Sequence, residues 1–171
     1  MSEQRLYLFI GAPGAGKTQI AKFIAKETGA EHLWADVERH KLFGQPTHAL
    51  GESDRLYAEL NDRTDQLLGE GKSVVFDTNF NYHADRQLLH KIADKHGATT
   101  VTIWVTTPED LARQRAVSPP TTRNGYLQGM TDAEFDAIVA KLEPPHEDEK
   151  VIKIDGTNID AIDLKSVLQI A

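Results

Sequence analysis

The chain has 171 residues, 40% of them hydrophobic and 26% charged, which is the size of one ordinary globular domain, spanning 1–171, with a real buried core. Its 19 Lys and Arg against 26 Asp and Glu give a net charge of −7, so the summed field offers no general attraction to duplex nucleic acid, although a local basic groove stays open. The lack of cysteine excludes disulfides and thiolate metal sites and is compatible with a reducing cytoplasm; no apolar stretch approaches the ~20 residues of a membrane span, residues 1–5 lack the order of a secretion signal, and a soluble protein is expected.

The first predicted element is an apolar strand at 5–10, followed directly by Gly11-Ala12-Pro13-Gly14-Ala15-Gly16-Lys17-Thr18. This octapeptide matches the pattern G-x-x-x-x-G-K-[ST] between a strand and a helix, the latter expected over about 16–28. Glycines let backbone N–H groups curl around phosphate oxygens, and the helix points its positive N-terminal end at the same anion. Lys17 is expected to reach the β- and γ-phosphates of a nucleoside triphosphate and Thr18 to offer its hydroxyl to Mg²⁺. An ordinary Gly-rich strand-to-helix turn is the plainer alternative.

A second strand at 31–35 ends at Asp36, and Arg39 follows three residues on. If a helix or turn starts at Asp36, the two share one face. The carboxylate could then accept the proton of an attacking hydroxyl while the arginine holds a phosphate or another anionic part of an acceptor. A helix-capping aspartate beside a surface arginine is the rival reading. An irregular stretch at 42–51 is read as part of an acceptor pocket, or else as a solvated loop.

A helix near 53–69 leads to a strand at 73–76 and the cluster Asp77-Thr78-Asn79. Asp77 closes its strand as a Walker B carboxylate would, as a second Mg²⁺ ligand with Thr18. Thr78 follows it where many ATPases have a water-activating glutamate, so transfer to a bound acceptor is favoured over hydrolysis. Asn79 and Arg86 are candidates for orienting phosphates or acceptor, and helix capping is the other use of the trio. A helix near 83–96 and a strand at 100–106 follow, the latter ending in Thr106-Thr107.

Beyond a helix near 108–116 lies a Pro-rich irregular stretch at 118–130, read as a lid spanning about 116–130. Arg113, Arg115 and Arg123 bracket it. Phosphoryl transfer spreads negative charge over the moving group, so an arginine delivered by a closing lid would stabilise it; Arg115 and Arg123 are taken as catalytic and Arg113 as a nucleotide ligand. A helix near 131–142, an acidic connector at 143–150, a strand at 151–154 and a helix near 160–170 complete the chain. Asp155-Gly156-Thr157-Asn158 lacks a nucleophilic aspartate at 153, which is Lys153, so it is read as a turn with Asn158 lining the adenine pocket. The seven histidines show no metal-binding spacing.

Five strands alternating with helices predict an α/β fold with a parallel sheet covered on both faces. In such sheets the ligand lies beyond the carboxyl ends of the strands, where Asp36, Asp77 and Thr106 fall.

With Gly11 to Thr18, Asp36 and Arg39 as a D-x-x-R pair, and Asp77-Thr78-Asn79 at a strand end, the chain resembles the P-loop kinases that include the 5′-kinase domain of polynucleotide kinase and, more distantly, zeta-toxin-like kinases. That resemblance implies a P-loop NTPase three-layer sandwich with a five-stranded parallel sheet and a lid insertion. It further implies Asp36 as general base, Arg39 as acceptor or phosphate ligand, and a lid arginine as transition-state clamp. The expectation is an ATP- and Mg²⁺-dependent kinase acting on a hydroxyl of a nucleic-acid 5′ end, nucleoside or small polar metabolite. Its rivals are a nucleotide-binding switch with no acceptor and a plain ATPase. GTP in place of ATP, and the oligomeric state, are left open.

Overall fold

The computed structural model describes residues 3–123 and 125–170, the side chains of Arg123 and Leu127 excepted. Its centre is β1 (Arg5–Ile10), whose alternation sends Leu6 and Leu8 to one face and Tyr7 and Phe9 to the other. All four are buried, so the run is apolar throughout, as a strand covered on both sides must be. β1 is flanked by β3 (Val74–Asp77) and by β4 (Thr99–Thr106), which pairs with it from Arg5 opposite Thr99 to Ile10 opposite Trp104. With β2 (Glu31–Trp34) and β7 (Val151–Asp155) outermost, the order is β2-β3-β1-β4-β7, parallel throughout.

Parallel strands need crossovers, and helices supply them. The chain leaves β1 through α1 (Lys17–Thr28), whose Ile20 and Ile24 pack beside Phe9 and Ile103. α2 (Ala35–Phe43), α3 (Leu50–Gly69) and α4 (His83–Lys95) follow, with Leu56, Leu60 and Leu89 against Leu8 and Phe76 on the opposite face. The connection from β1 runs toward β2 while that from β4 runs toward β7, which opens a crevice at the strands' carboxyl ends.

Three segments differ from the sequence expectation. The irregular stretch at 42–51 narrows to 44–49, because α2 continues to Phe43 and α3 already starts at Leu50. The second stretch is an antiparallel hairpin of β5 (Ser118–Arg123) and β6 (Tyr126–Met130), set between α5 (Glu109–Ala116) and α6 (Asp132–Ala140). Its register shifts between Ser118 and Thr121, where Pro119 and Pro120 have no N–H for a ladder. The expected helix at 160–170 divides into a 3-10 turn, Gly156–Ala161, and a short α7 (Leu164–Val167), because Ile162 is extended and the Asp163 side chain caps a fresh start on the Ser166 amide.

Arg86 is fully buried, with bonds to both Glu149 carboxylate oxygens (2.6 and 2.8 Å) and to the carbonyls of Phe80 (2.9 Å) and Glu143 (3.2 Å). It staples the 143–149 connector to α4. This corrects its reading as a phosphate or acceptor ligand, since its charge is balanced inside the protein.

Candidate active site

The loop after β1 is clamped from two sides. At Gly14 the backbone is left-handed (φ 76°), and a Cβ there would collide with the Ala112 carbonyl of α5. A side chain at Gly156 would strike the Ala15 carbonyl and the Thr107 hydroxyl, which itself donates to that carbonyl at 2.8 Å. Thr107 therefore shapes the loop from beneath, while Thr106 donates to the Ile154 carbonyl at 3.4 Å. The hollow formed by Gly11, Ala12, Pro13, Gly14, Ala15 and Gly16 opens at the start of α1, where unpaired amides and the helix dipole favour an anion.

Lys17, only 8% exposed, folds back to donate to the carbonyls of Gly11 (2.8 Å) and Ala12 (2.7 Å). Burial lowers its pKa to about 8, although Asp77 and Asp36 nearby favour its charged form. A buried cation whose hydrogen bonds among the described residues go to neutral carbonyls, at the start of a helix, is poised to be satisfied by an anion. Thr18 Oγ1 donates to Asp77 Oδ1 at 3.2 Å, and the other oxygen of this buried carboxylate lies 3.1 Å from His32 Nε2. A hydroxyl and a carboxylate brought together beside the loop are hard oxygen donors of the kind Mg²⁺ takes, so the expected metal ligands Thr18 and Asp77 fit that ion.

Asp36 stands in the first turn of α2, immediately past β2. Because Trp34 lies opposite Asp77 in the β2–β3 register, Asp36 arrives within electrostatic reach of both Asp77 and Lys17. Its carboxylate is open to solvent along the cleft yet walled by protein. That desolvation, followed by repulsion from Asp77, raises its pKa, while His48, Arg39 and Lys17 pull the other way. Thus Thr18 and Asp77 are joined at the start of α1, with Lys17 and Asp36 within electrostatic reach of that carboxylate.

Arg39, one turn along α2, is buried and turned onto α3. Its Nη1 meets Glu52 Oε1 at 2.8 Å, and both Nη1 and Nη2 donate to Ser53 Oγ at 3.2 Å. Glu52 also accepts from the Thr47 amide (2.8 Å), the Thr47 hydroxyl (2.9 Å) and the His48 amide (3.2 Å). The Thr47 amide foremost, with Arg39, the Thr47 hydroxyl and the His48 amide, holds the Glu52 pKa at about 2 against the effect of burial. Tyr57 of α3 shares a 2.8 Å hydrogen bond with the Thr78 hydroxyl, and burial raises the phenol's pKa. Asn79 keeps a buried carboxamide oxygen that no donor meets among the described residues.

The other expected site residues lie on the far side of the loop. Arg115 donates to the carbonyls of Gly156 and Thr157, both at 2.8 Å, and so braces the turn that carries the exposed Asn158 and touches the phosphate loop. Arg113 lies over the Phe135 ring, 4.5 Å from its centroid, with Glu109 (3.1 Å) and Asp132 (3.2 Å) as ion-pair partners and Asp136 as a third. Arg123 falls at the end of β5, with its side chain outside the described residues. The hairpin reaches toward α2, where the Tyr126 ring stacks on His40 (centroids 4.3 Å apart, planes 14° apart).

His32, Glu52 and Tyr57 were not picked out from the sequence. Only His32 left a signal there, as a polar residue inside a short apolar strand. His83, His146 and Asp148 also bring potential ligand atoms within 4.8 Å of one another. The two imidazoles stack at 3.8 Å and 11°, which keeps their in-plane lone pairs apart.

Comparison with known structures supports the architecture. A sugar kinase of Janibacter sp. superposes with a TM-score of 0.70 at 20% identity, covering 99% of this chain and 96% of the other. A gluconokinase of Sinorhizobium meliloti gives 0.63 at 17%, covering 98% and 87%. The APS kinase of Mycobacterium tuberculosis, solved with AMPPNP and APS, gives 0.68 at 18%, covering 99% and 98%. At these identities the likeness establishes a shared P-loop kinase-like fold. No curated protein matches the chain. Residues 6–145 match the AAA domain family, from the first strand past the whole constellation of Lys17, Asp36 and Asp77, and the chain belongs to that family.

Proposed function

We propose that the protein is a kinase that transfers the γ-phosphoryl group of ATP to a hydroxyl of a small acceptor. The observation that carries this reading is Asp36: a carboxylate with a raised pKa, open to the cleft and within electrostatic reach of Lys17 and Asp77. A carboxylate beyond the γ-phosphate can orient an acceptor hydroxyl and take its proton.

In this reading the loop amides and Lys17 bind the phosphates, with the lysine exchanging its loop carbonyls for phosphate oxygens. Thr18 and Asp77 would hold Mg²⁺, which would supply positive charge to offset that of the phosphates. Asp36 accepts the acceptor's proton as its oxygen attacks phosphorus in line with the departing ADP. The β5–β6 hairpin acts as the lid that excludes water, latched to α2 through Tyr126 and His40. Arg115 keeps the nucleotide-side turn in place, and Arg123, at the hairpin end, is the remaining candidate clamp. The names of the sugar kinase, gluconokinase and APS kinase lend the kinase reading support without fixing the acceptor.

The test is to incubate the protein with γ-labelled ATP, Mg²⁺ and a panel of sugars, polyols, nucleosides and 5′-hydroxyl oligonucleotides. Label on an acceptor is expected. Acceptor-independent phosphate release as the sole product would favour the plain ATPase instead.

A further inference from the structure

We infer that the acceptor is an uncharged hydroxyl compound of the sugar, polyol or nucleoside class, and that Glu52 sets this preference by holding the Arg39 guanidinium. The inference rests on the kinase reading and narrows its acceptor. Arginine recognises a phosphate by presenting a free fork of N–H donors. Here Nη1 lies 2.8 Å from Glu52 Oε1, and Nη1 and Nη2 both lie 3.2 Å from Ser53 Oγ. Both partners of the ion pair are almost fully buried, with side-chain exposures of 8% and 9%. A phosphate arriving at Arg39 would have to displace a carboxylate or sit beside it, and like charges brought together out of water repel strongly.

Glu52 is not free to swing aside. Its second oxygen holds the amide and hydroxyl of Thr47, so releasing Arg39 would strain the 44–49 loop that lies between α2 and α3. The nearby charges work in the same direction: Asp36 and Asp77 are acidic, and Lys17 is committed to the nucleotide. Neutral polar groups lie nearby as well: Tyr57, within electrostatic reach of Arg39 and Asp36, shares a 2.8 Å hydrogen bond with the Thr78 hydroxyl. A sugar or polyol hydroxyl can donate and accept, whereas an ionised phosphate ester only accepts.

Two measurements test this. In the first, protein loaded with Mg²⁺ and AMPPNP is titrated calorimetrically with inorganic sulfate. Wild type is expected to show no second anion site in the low millimolar range. Glu52→Gln should bind sulfate about 10-fold or more tightly, and the double variant Glu52→Gln, Arg39→Gln should lose that gain. In the second, initial transfer rates are compared for ribose, glucitol and thymidine against their monophosphates, the uncharged member of each pair being preferred by wild type. A wild-type preference for the monophosphates, or sulfate binding equally tight in wild type and Glu52→Gln, overturns the inference. Should Glu52→Gln fail to fold, the wild-type acceptor ratio decides alone. Failure of the kinase reading looks different: no acceptor is labelled, while the sulfate titrations still follow the predicted order.

Discussion

Lys17 and Asp36 have pKa values displaced by one cause, desolvation at the cleft, and the displacement has opposite consequences for binding and for chemistry. Lys17 is lowered to about 8 without nucleotide. Bound phosphates favour its charged form, so below pH 8 the lysine enters binding already protonated, whereas above it a proton must be taken up. ATP affinity should therefore be flat below about pH 8 and fall above it by up to about tenfold per unit, with calorimetric proton uptake that depends on buffer ionisation. Asp36 is raised, so the ionised base is lost at a higher pH than for an ordinary aspartate. The acid limb of kcat should lie above the usual 3.8 of a free carboxyl and disappear in Asp36→Asn. At this scale the sequence was legible where partners are neighbours in the chain. Gly11 to Gly16 form one continuous turn that runs directly into Lys17 and Thr18 at the start of α1, so these residues are brought together by the chain itself. The surroundings of Arg39 were not legible, because Glu52 lies 13 residues away across a loop whose course only the fold determines.

Among the elements, the hairpin and the 143–149 connector carry the sharpest consequences. Tyr126→Ala removes the ring stacked on His40 and should loosen the proposed lid. Acceptor-independent ATP hydrolysis is then expected to rise several-fold relative to transfer, and an unchanged ratio would remove the latch role. Arg86→Ala would remove the buried guanidinium paired with Glu149, at a cost of about 3–5 kcal/mol. That corresponds to a loss of roughly 10 °C in Tm. Burial alone would raise the Glu149 pKa, but hydrogen bonds from Arg86, the His146 amide and His83 hold it at about 2. A lowered carboxyl pKa stabilises the folded state fully above the ordinary value of 4.5 and loses that contribution as pH falls toward 2. Acid unfolding should accordingly move to higher pH in Glu149→Gln. The hairpin escaped sequence reading because Pro119 and Pro120 weaken the strand signal, and cross-strand pairing with 126–130 is not a local property. The last helix was overextended because Ala161, Leu164 and Leu168 recur at helical spacing, whereas Ile162 is extended and Asp163 restarts the helix.

For the molecule as a whole, the five-stranded parallel sheet was readable because each buried strand is a compact apolar run bounded by helical segments. The sequence could not give the strand order, yet the order is what assembles the site. Placing β3 between β1 and β2 sets Asp77 beside both Thr18 and His32 and brings Asp36 toward the phosphate loop. Thr18 directly follows the loop at the start of α1, but Asp77 lies 59 residues beyond Thr18, so their convergence is a product of topology. The same topology makes Asp36 separable from nucleotide binding, since it belongs to α2 rather than to the loop. The most direct measurement is therefore a single-turnover comparison of wild type with Asp36→Asn, following γ-labelled phosphate onto a hydroxyl acceptor while the ATP dissociation constant is determined in parallel. A loss of transfer of about 10²–10⁴-fold with ATP affinity within about twofold is expected. Equal transfer rates in the two proteins would contradict Asp36 as the base and with it the proposed reaction.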